Sequence, residues 1–324
     1  MYFKVSKKEF YNALSVASRA ISTFSPLPAF SGIKIDAKED CLILTGSDSD
    51  VSIQTKLTKS EECVLEIRDM GSIVIEAKYI LEIVRKIDAD EIEFEMIDGS
   101  LTKISGNTAE FRINGMRANE YPAIDFSKPK ECFALKEETL KKVILQTSFA
   151  TSDKETRPVL TGVNFHCEGN TLHCVATDSY RLAKKTIDIS ESLNFNITIP
   201  AKSLSEVVKT LEGEGEVEIA VNDKKAQFII HDTIVQTRLI DGVYPETSRL
   251  IPLQFDYELT IDSRDLLNAI DRASFIKNDG VSVIKFSLSE QECVLSSKSV
   301  EVGSSTEVLS SASFTGSSLE ISCN

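Results

Sequence analysis

Apolar residues recur along this chain with two alternating periods. Phe10, Leu14 and Ala17 stand at helical spacing, as do Leu140 with Ile144, and Leu266 with Ile270 and Ala273. Each set follows a short alternating strand, in FKVSKKEFYNALSVAS from Phe3, FALKEETLKKVILQTS from Phe133 and LTIDSRDLLNAIDRAS from Leu259. Helix-start signals lie between strand and helix. They are Ser6 with Glu9 at capping-box spacing, Lys136 with Glu137 and Glu138 behind it, and Asp262 followed by Asp265. A second amphipathic helix follows an Ala-Lys pair in IVIEAKYILEIVRKI from Ile73 and in ITIPAKSLSEVVKTL from Ile197. Stretches such as CLILTGSDSDVSIQTKL and TLHCVATDSYRLAKKTI alternate with period two and predict strands.

The matches form a repeat, with copies 130 and 126 residues apart. EYPAIDF around Pro122 and VYPETSRLIP around Pro245 close the first two copies. The predicted fold class is α+β, with three domains of one design over 1–128, 129–253 and 254–324. Each reads strand, helix, several strands, helix, several strands. LEISCN, residues 319–324, aligns with ITIPAK, residues 197–202, so the third domain is expected to be incomplete by about 45 residues.

A chain of 324 residues suits two or three cores, and 42% apolar with 27% charged residues fits a folded protein. No run of about 18 apolar residues occurs, and MYFKVSKKEF lacks an apolar h-region, so neither a membrane span nor a signal peptide is expected. Seven scattered cysteines without a Cys-x-x-Cys pair point to reduced thiols and a cytoplasmic location.

Metal and catalytic templates fit poorly. HCEGNTLHC, residues 166–174, holds two His and two Cys. With a two-residue turn at Gly169-Asn170, His166 faces His173, while Phe165, Cys167, Leu172 and Cys174 share the opposite face. The four ligands then cannot surround one metal. Gly-x-Ser-x-Gly, the phosphate-loop pattern and His-Glu-x-x-His are all missing from the sequence. His231 is expected to be a strand residue with no special role. No cofactor is expected.

Residues 178–181, Asp-Ser-Tyr-Arg, resemble an active site at first reading. Ser47-Asp48 stands 130 residues earlier at the matching position, and Asp and Ser form turns by bonding the local backbone. Asp178 is therefore expected to close a turn. Tyr180, Arg181 and Leu182 have no counterpart in the first copy and suit a binding surface.

The net charge of −14 argues against a polyanionic partner until its distribution is considered. The five predicted helices, 6–22, 76–88, 136–148, 200–212 and 262–277, hold 14 Lys and Arg against 11 Asp and Glu. The remainder carries −17. Ordinary solvated helix faces explain so small an excess. It also fits an acidic outside with a more basic helical side.

TRPVLTGV, VATDSYRLA and RLIDGVYPETSRLIP resemble the bacterial DNA polymerase III beta subunit family, the sliding clamps, and the resemblance runs from residue 1 to 324. It implies helices lining an inner face with antiparallel sheets outside. Two subunits would join head to tail as a homodimeric ring around double-stranded DNA. Backbone-only contact is sequence-independent and permits sliding. It further implies a processivity factor without catalytic activity of its own, which tethers the replicative polymerase, the clamp loader and repair proteins through short linear peptides.

The implied peptide pocket comprises Leu160, Thr177, Ser179, Tyr180, Arg181, Leu182, Pro245, Arg249 and Leu250. Its leucines and proline would take apolar anchors, and its arginines carbonyls or carboxylates. Lys78, Arg85, Lys154, Arg157 and Lys202 are the implied DNA-facing residues. Phe111 and Ile113 of one subunit would meet Phe275 and Ile276 of the next in an apolar seam. The chain departs from the family at Phe24, where a basic residue is frequent, and in lacking the family's C-terminal tail. Two alternatives remain at this stage: a clamp fragment that retains only peptide binding, and an enzyme using Asp178, Tyr180 and Arg181.

Overall fold

A computed structural model describes residues 1–22, 27–277 and 279–323. They form two compact units, Met1–Tyr244 and Pro245–Asn324. The first unit holds two of the predicted repeats. They merge because one sheet runs through both: strand Val51–Thr58 of the first repeat pairs antiparallel with Thr233–Arg238 of the second. The hydroxyls of Thr55 and Thr233 meet at 2.9 Å inside that junction. Residues 245–253 fall in the second unit, beside the predicted third repeat.

The first repeat starts with strand Tyr2–Ser6 and helix α1, Lys7–Ser18, and continues through five strands to α2, Ala77–Lys86. Helix α1 buries Phe10, Ala13, Leu14 and Ala17, the stripe its periodicity predicts. The predicted capping box does not form. Ser6 is the N-cap residue, but its hydroxyl accepts the backbone N–H of Val64 at 2.8 Å, and no side chain caps the helix. The C-terminal end of α1 lies against strand Cys41–Ser47. A Cβ on Gly46 would fall 2.1 Å from the carbonyl oxygen of Ala17, so the close approach requires glycine.

The second repeat follows the same plan. Strand Glu131–Lys136 leads into α3, Glu137–Leu145, and α4, Ala201–Thr210, packs beside it as α2 packs beside α1. Residues 162–169 pair with 193–200, and 171–177 pair with 182–188. The rings of His166 and His173 stand 6.4 Å apart, whereas a straight strand would separate them by about 23 Å. The chain therefore doubles back at Gly169-Asn170, with Gly169 at φ +62°. The resulting order, 193–200, 162–169, 171–177, 182–188, reproduces that of the first repeat: Gly71–Glu76, Gly32–Ala37, Cys41–Ser47, Val51–Thr58.

Separate cores underlie the repeats. Phe3, Phe10 and Phe94 anchor the first, with Phe3 and Phe94 stacked at 4.7 Å. Phe133, Phe165 and Phe228 anchor the second. Cys167 and Cys174 lie inside that core while both histidines lie outside it, so the four candidate ligands are split between two faces.

The second unit, taken by itself, has a smaller core around Leu295, Leu309 and Phe314. Its helix α5, Ser263–Ser274, is capped as predicted: the Asp262 carboxylate accepts from Arg264 N and Asp265 N. Its largest sheet has four strands, in the order Gly303–Val308, Cys293–Ser299, Ile284–Leu288, Leu319–Cys323. Among the described residues no helix is long and apolar enough to cross a membrane.

His231 departs from expectation. It sits in a turn at φ +49° rather than in a strand. Its Nε2 lies 3.2 Å from the fully buried carboxylate of Glu137, at the start of α3. The same carboxylate accepts the N–H of Gly213 at 2.6 Å, so it ties three segments together.

Candidate functional site

Residues 177–182 form a tight turn held by side chains bonding its own backbone. Asp178 Oδ1 accepts the N–H groups of Tyr180 and Arg181, each at 2.9 Å. Thr177 Oγ1 accepts the N–H of Ser179 at 3.1 Å and donates to the carbonyl of Arg181 at 2.7 Å. Ser179 adopts φ +79°. These bonds, led by the backbone N–H of Arg181 and then that of Tyr180, hold the Asp178 carboxyl below its ordinary range. Asp178 also takes Arg181 Nε at 3.0 Å on its other oxygen. A carboxylate so fully engaged with its own turn is a structural group, not a free base.

The turn presents what it does not use. The Tyr180 side chain is 96% exposed. The Arg181 guanidinium is half-exposed and lies 5.9 Å over the ring of exposed Phe149. Leu182 is half-buried, and Leu160 lies beneath the surface at 3% exposure. Leu160 occupies the short helix Pro158–Thr161, whose Thr161 hydroxyl donates back to the carbonyl of Pro158 at 2.7 Å. Proline at the first position and this bond together set the segment.

Tyr244, missed by sequence reasoning, belongs to this group. Its phenolic oxygen accepts the backbone N–H of Thr177 at 3.0 Å. Burial raises its pKa, and the phenol stays protonated. The Tyr-Pro at the end of each of the first two repeats was the available signal. In the first repeat the hydroxyl of Tyr121 reaches toward the carbonyl of Thr45 at 3.5 Å.

In the second unit, Pro245, Arg249 and Leu250 are all exposed, Leu250 by 62%. Arg249 and Leu250 lie in the short helix Ser248–Leu250, and the Glu246 carboxylate accepts the N–H of Ser248 at 2.8 Å.

The candidate DNA-facing residues Lys78, Arg85, Lys154, Arg157 and Lys202 are all exposed. Their charges are not equally available. Arg85 is bonded through Nη2 to Glu82 at 2.8 Å, and Lys202 lies 3.7 Å from Asp48. Phe24 lies outside the described residues. Of the four seam candidates, Phe111 and Phe275 are exposed, at 36% and 68%, and Ile113 is half-buried against its own core. Ile276 differs from Phe275 in its surroundings. It is 3% exposed and turned into its own unit, where its carbonyl accepts from Ser297 Oγ at 3.4 Å.

Three family models match the chain in order. They are the N-terminal domain of the DNA polymerase III beta subunit over residues 1–125, its central domain over 134–246 and its C-terminal domain over 248–324. A beta sliding clamp of Bacillus subtilis is 37% identical over 329 residues, covering 99% of this chain and 87% of that protein. The crystal structure of a DNA polymerase sliding clamp from Bacillus subtilis superposes with a TM-score of 0.94 at 35% identity, covering 99% of this chain and 87% of the other. A sliding clamp of Bartonella birtlesii, solved bound to griselimycin, matches with a TM-score of 0.90 at 28% identity, covering all of this chain and 87% of the other.

Proposed function

The chain belongs to the DNA polymerase III beta subunit family, and on that premise we propose that it is a sliding clamp whose turn at 177–182 captures partner peptides. Copies of the chain close head to tail into a homodimeric ring around duplex DNA. The ring holds a replicative polymerase, and in turn a clamp loader or repair protein, through short linear segments. The reading includes no catalytic step, since the carboxylate that resembled a base closes a turn.

The observation that carries the peptide reading is the division of labour in the turn. Thr177 and Asp178 are taken up by bonds within the turn, while Tyr180 and Arg181 are exposed, with Arg181 over the ring of Phe149, and Leu160 is buried. An apolar floor beside a guanidinium is what an apolar anchor next to a carbonyl or carboxylate requires. Phe111 and Phe275 supply the apolar surface proposed for the seam. Lys78, Lys154 and Arg157, with Arg85 and Lys202, supply the cations proposed to face the phosphates.

Retention on DNA tests the ring. After loading onto nicked circular DNA, the protein is expected to dissociate slowly, and to slide off within seconds once the circle is linearised. Equal retention on circular and linear DNA would remove the ring reading.

A further inference from the structure

The first repeat contains a second copy of the framework that supports residues 177–182, and a cavity opens beside it. Asp48 Oδ1 accepts the N–H groups of Asp50 and Val51 at 3.1 and 2.8 Å. Ser47 Oγ accepts the N–H of Ser49 at 3.1 Å and donates to the carbonyl of Val51 at 3.0 Å. Ser49 adopts φ +86°. Each of these bonds has its partner 130 residues later. The floor repeats too: Phe30, in the short helix Pro28–Ser31, is 3% exposed like Leu160, and the Ser31 hydroxyl donates to Pro28 O at 2.7 Å as Thr161 does to Pro158.

What differs is the chemistry around the framework. Strand Thr233–Arg238 pairs with the first repeat's sheet, and the N–H of Arg238 donates to the carbonyl of Asp50 at 2.9 Å. That junction brings Arg238, Lys224 and Lys225 to a cavity of about 460 Å³ lined also by Phe30, Pro122 and Ile124, where the cations outnumber the two carboxylates, Asp50 and Asp125. Lys225 is engaged with Asp125, at 2.7 Å to its carbonyl. Arg238 and Lys224 are exposed.

We propose that this cavity is a second peptide-docking site, selective for a segment whose large apolar side chain is followed by acidic residues. The apolar side chain enters against Phe30, Pro122 and Ile124, and the carboxylates meet Arg238 and Lys224. The proposal extends the reading of residues 177–182 as a peptide site to the other copy of the framework. The two sites differ in preference. The turn at 177–182 carries its own Arg181 and Leu182, whereas the first turn has Val51 and Ser52 there and takes its cations from the neighbouring repeat.

The test uses a fluorescent peptide of sequence Gly-Leu-Phe-Asp-Asp as the probe and the full chain carrying Tyr180→Ala with Arg181→Ala, which strips the turn at 177–182 of its exposed side chains. One peptide is expected to bind per chain of this variant. In it, K224E with R238E is expected to weaken the peptide by about tenfold or more, and Ile124→Ala by about threefold. K59E, an exposed charge reversal elsewhere, should leave that binding unchanged. Absence of peptide binding to the Tyr180→Ala/Arg181→Ala chain, or binding indifferent to both K224E/R238E and Ile124→Ala, overturns the proposal. So does a result in which K224E/R238E loses a duplex oligonucleotide but not the peptide, since the cations then serve DNA. An unaltered chain that binds one peptide rather than two counts against residues 177–182 alone, because the response to K224E/R238E still reads the second cavity.

Discussion

The turns at 47–52 and 177–182 have the same internal hydrogen bonds and present different side chains. In each, an aspartate accepts two successive N–H groups and a hydroxyl residue bridges across the turn. The bonding residues are Ser47 with Asp48 and Thr177 with Asp178. After one further serine in each copy, the positions read Asp50, Val51, Ser52 in one and Tyr180, Arg181, Leu182 in the other. Their side chains supply none of these shared bonds, although Ser52 Oγ meets Ser47 Oγ at 2.8 Å and Arg181 Nε donates to Asp178 at 3.0 Å. Duplication thus separates a support from its cargo: two residues make the bonds that the copies share, and the positions after them differ in chemistry.

The comparison breaks most severely where the copies differ beneath the turn. Gly46 corresponds to Ala176, 130 residues on. Ala176 is fully buried without difficulty, because α3 ends at Leu145, whereas α1 runs on to Ser18 and brings the Ala17 carbonyl against Gly46. Gly46→Ala is expected to destabilise the first unit by about 3 kcal/mol, the upper range for overpacking against backbone. Ala176→Gly should cost only about 1 kcal/mol. Thermal unfolding of the two variants checks the difference. Equal losses would mean that the helix end accommodates the extra methyl.

The next effect in size concerns binding. Asp178→Ala removes the acceptor for two N–H groups and should weaken the Gly-Leu-Phe-Asp-Asp probe on the K224E/R238E chain, where residues 177–182 are left to hold it, by about tenfold, with the global unfolding temperature little changed. Asp48→Ala removes the same bonds in the other copy and should leave that affinity as it is. If both variants lose affinity equally, the turns are mechanically coupled and the separation of support from cargo fails.

The repeat itself was legible because helical and strand periods survive divergence, as Phe10, Leu140 and Leu266 show at equivalent positions. Local chemistry was legible too: Asp262 caps α5 with N–H groups two and three residues away. Non-local chemistry was not. The Ser6 hydroxyl is taken by Val64, 58 residues distant, and His231 finds Glu137 across the second repeat. Nor does an apolar residue after a helix reveal its direction: Phe275 turns outward and Ile276 inward, and only packing decides between them. The cavity beside the first turn was invisible for the same reason. Its cations arrive from the other repeat, Arg238 from the strand Thr233–Arg238 and Lys224 from the bend before Lys225–Ile230, more than 170 residues along the chain.

A smaller effect is expected at Tyr244. Removing its hydroxyl leaves the Thr177 N–H without its acceptor inside a half-buried site. Tyr244→Phe should weaken the same probe on the K224E/R238E chain by about threefold, near the net value of one neutral hydrogen bond. Tyr121→Phe removes a longer contact in the first repeat and should change neither that affinity nor stability measurably. Amide exchange at Thr177 distinguishes the cause, since it should quicken in Tyr244→Phe only. Unchanged exchange would leave the tyrosine a packing group.

The smallest effect asks which bonds hold the second turn. The Asp178 carboxyl lies below its ordinary range first through the N–H of Arg181 and then that of Tyr180, and less through the Arg181 guanidinium. A depressed carboxyl contributes stability above its unfolded pKa, near 3.9, and loses that contribution as pH falls through its folded value. Peptide binding at residues 177–182 should therefore be insensitive to the Asp178 titration between about pH 5 and 8, and should decline only below about pH 4. In Arg181→Ala the two N–H bonds persist, so a carboxyl titration followed by NMR should still place Asp178 below the ordinary aspartate range. The first turn supplies the reason to expect this, since it keeps the same bonds with valine in the arginine's place. A return of Asp178 to the ordinary aspartate range in Arg181→Ala would mean that the ion pair sets the second turn, and the two turns would then be alike in outline but not in cause.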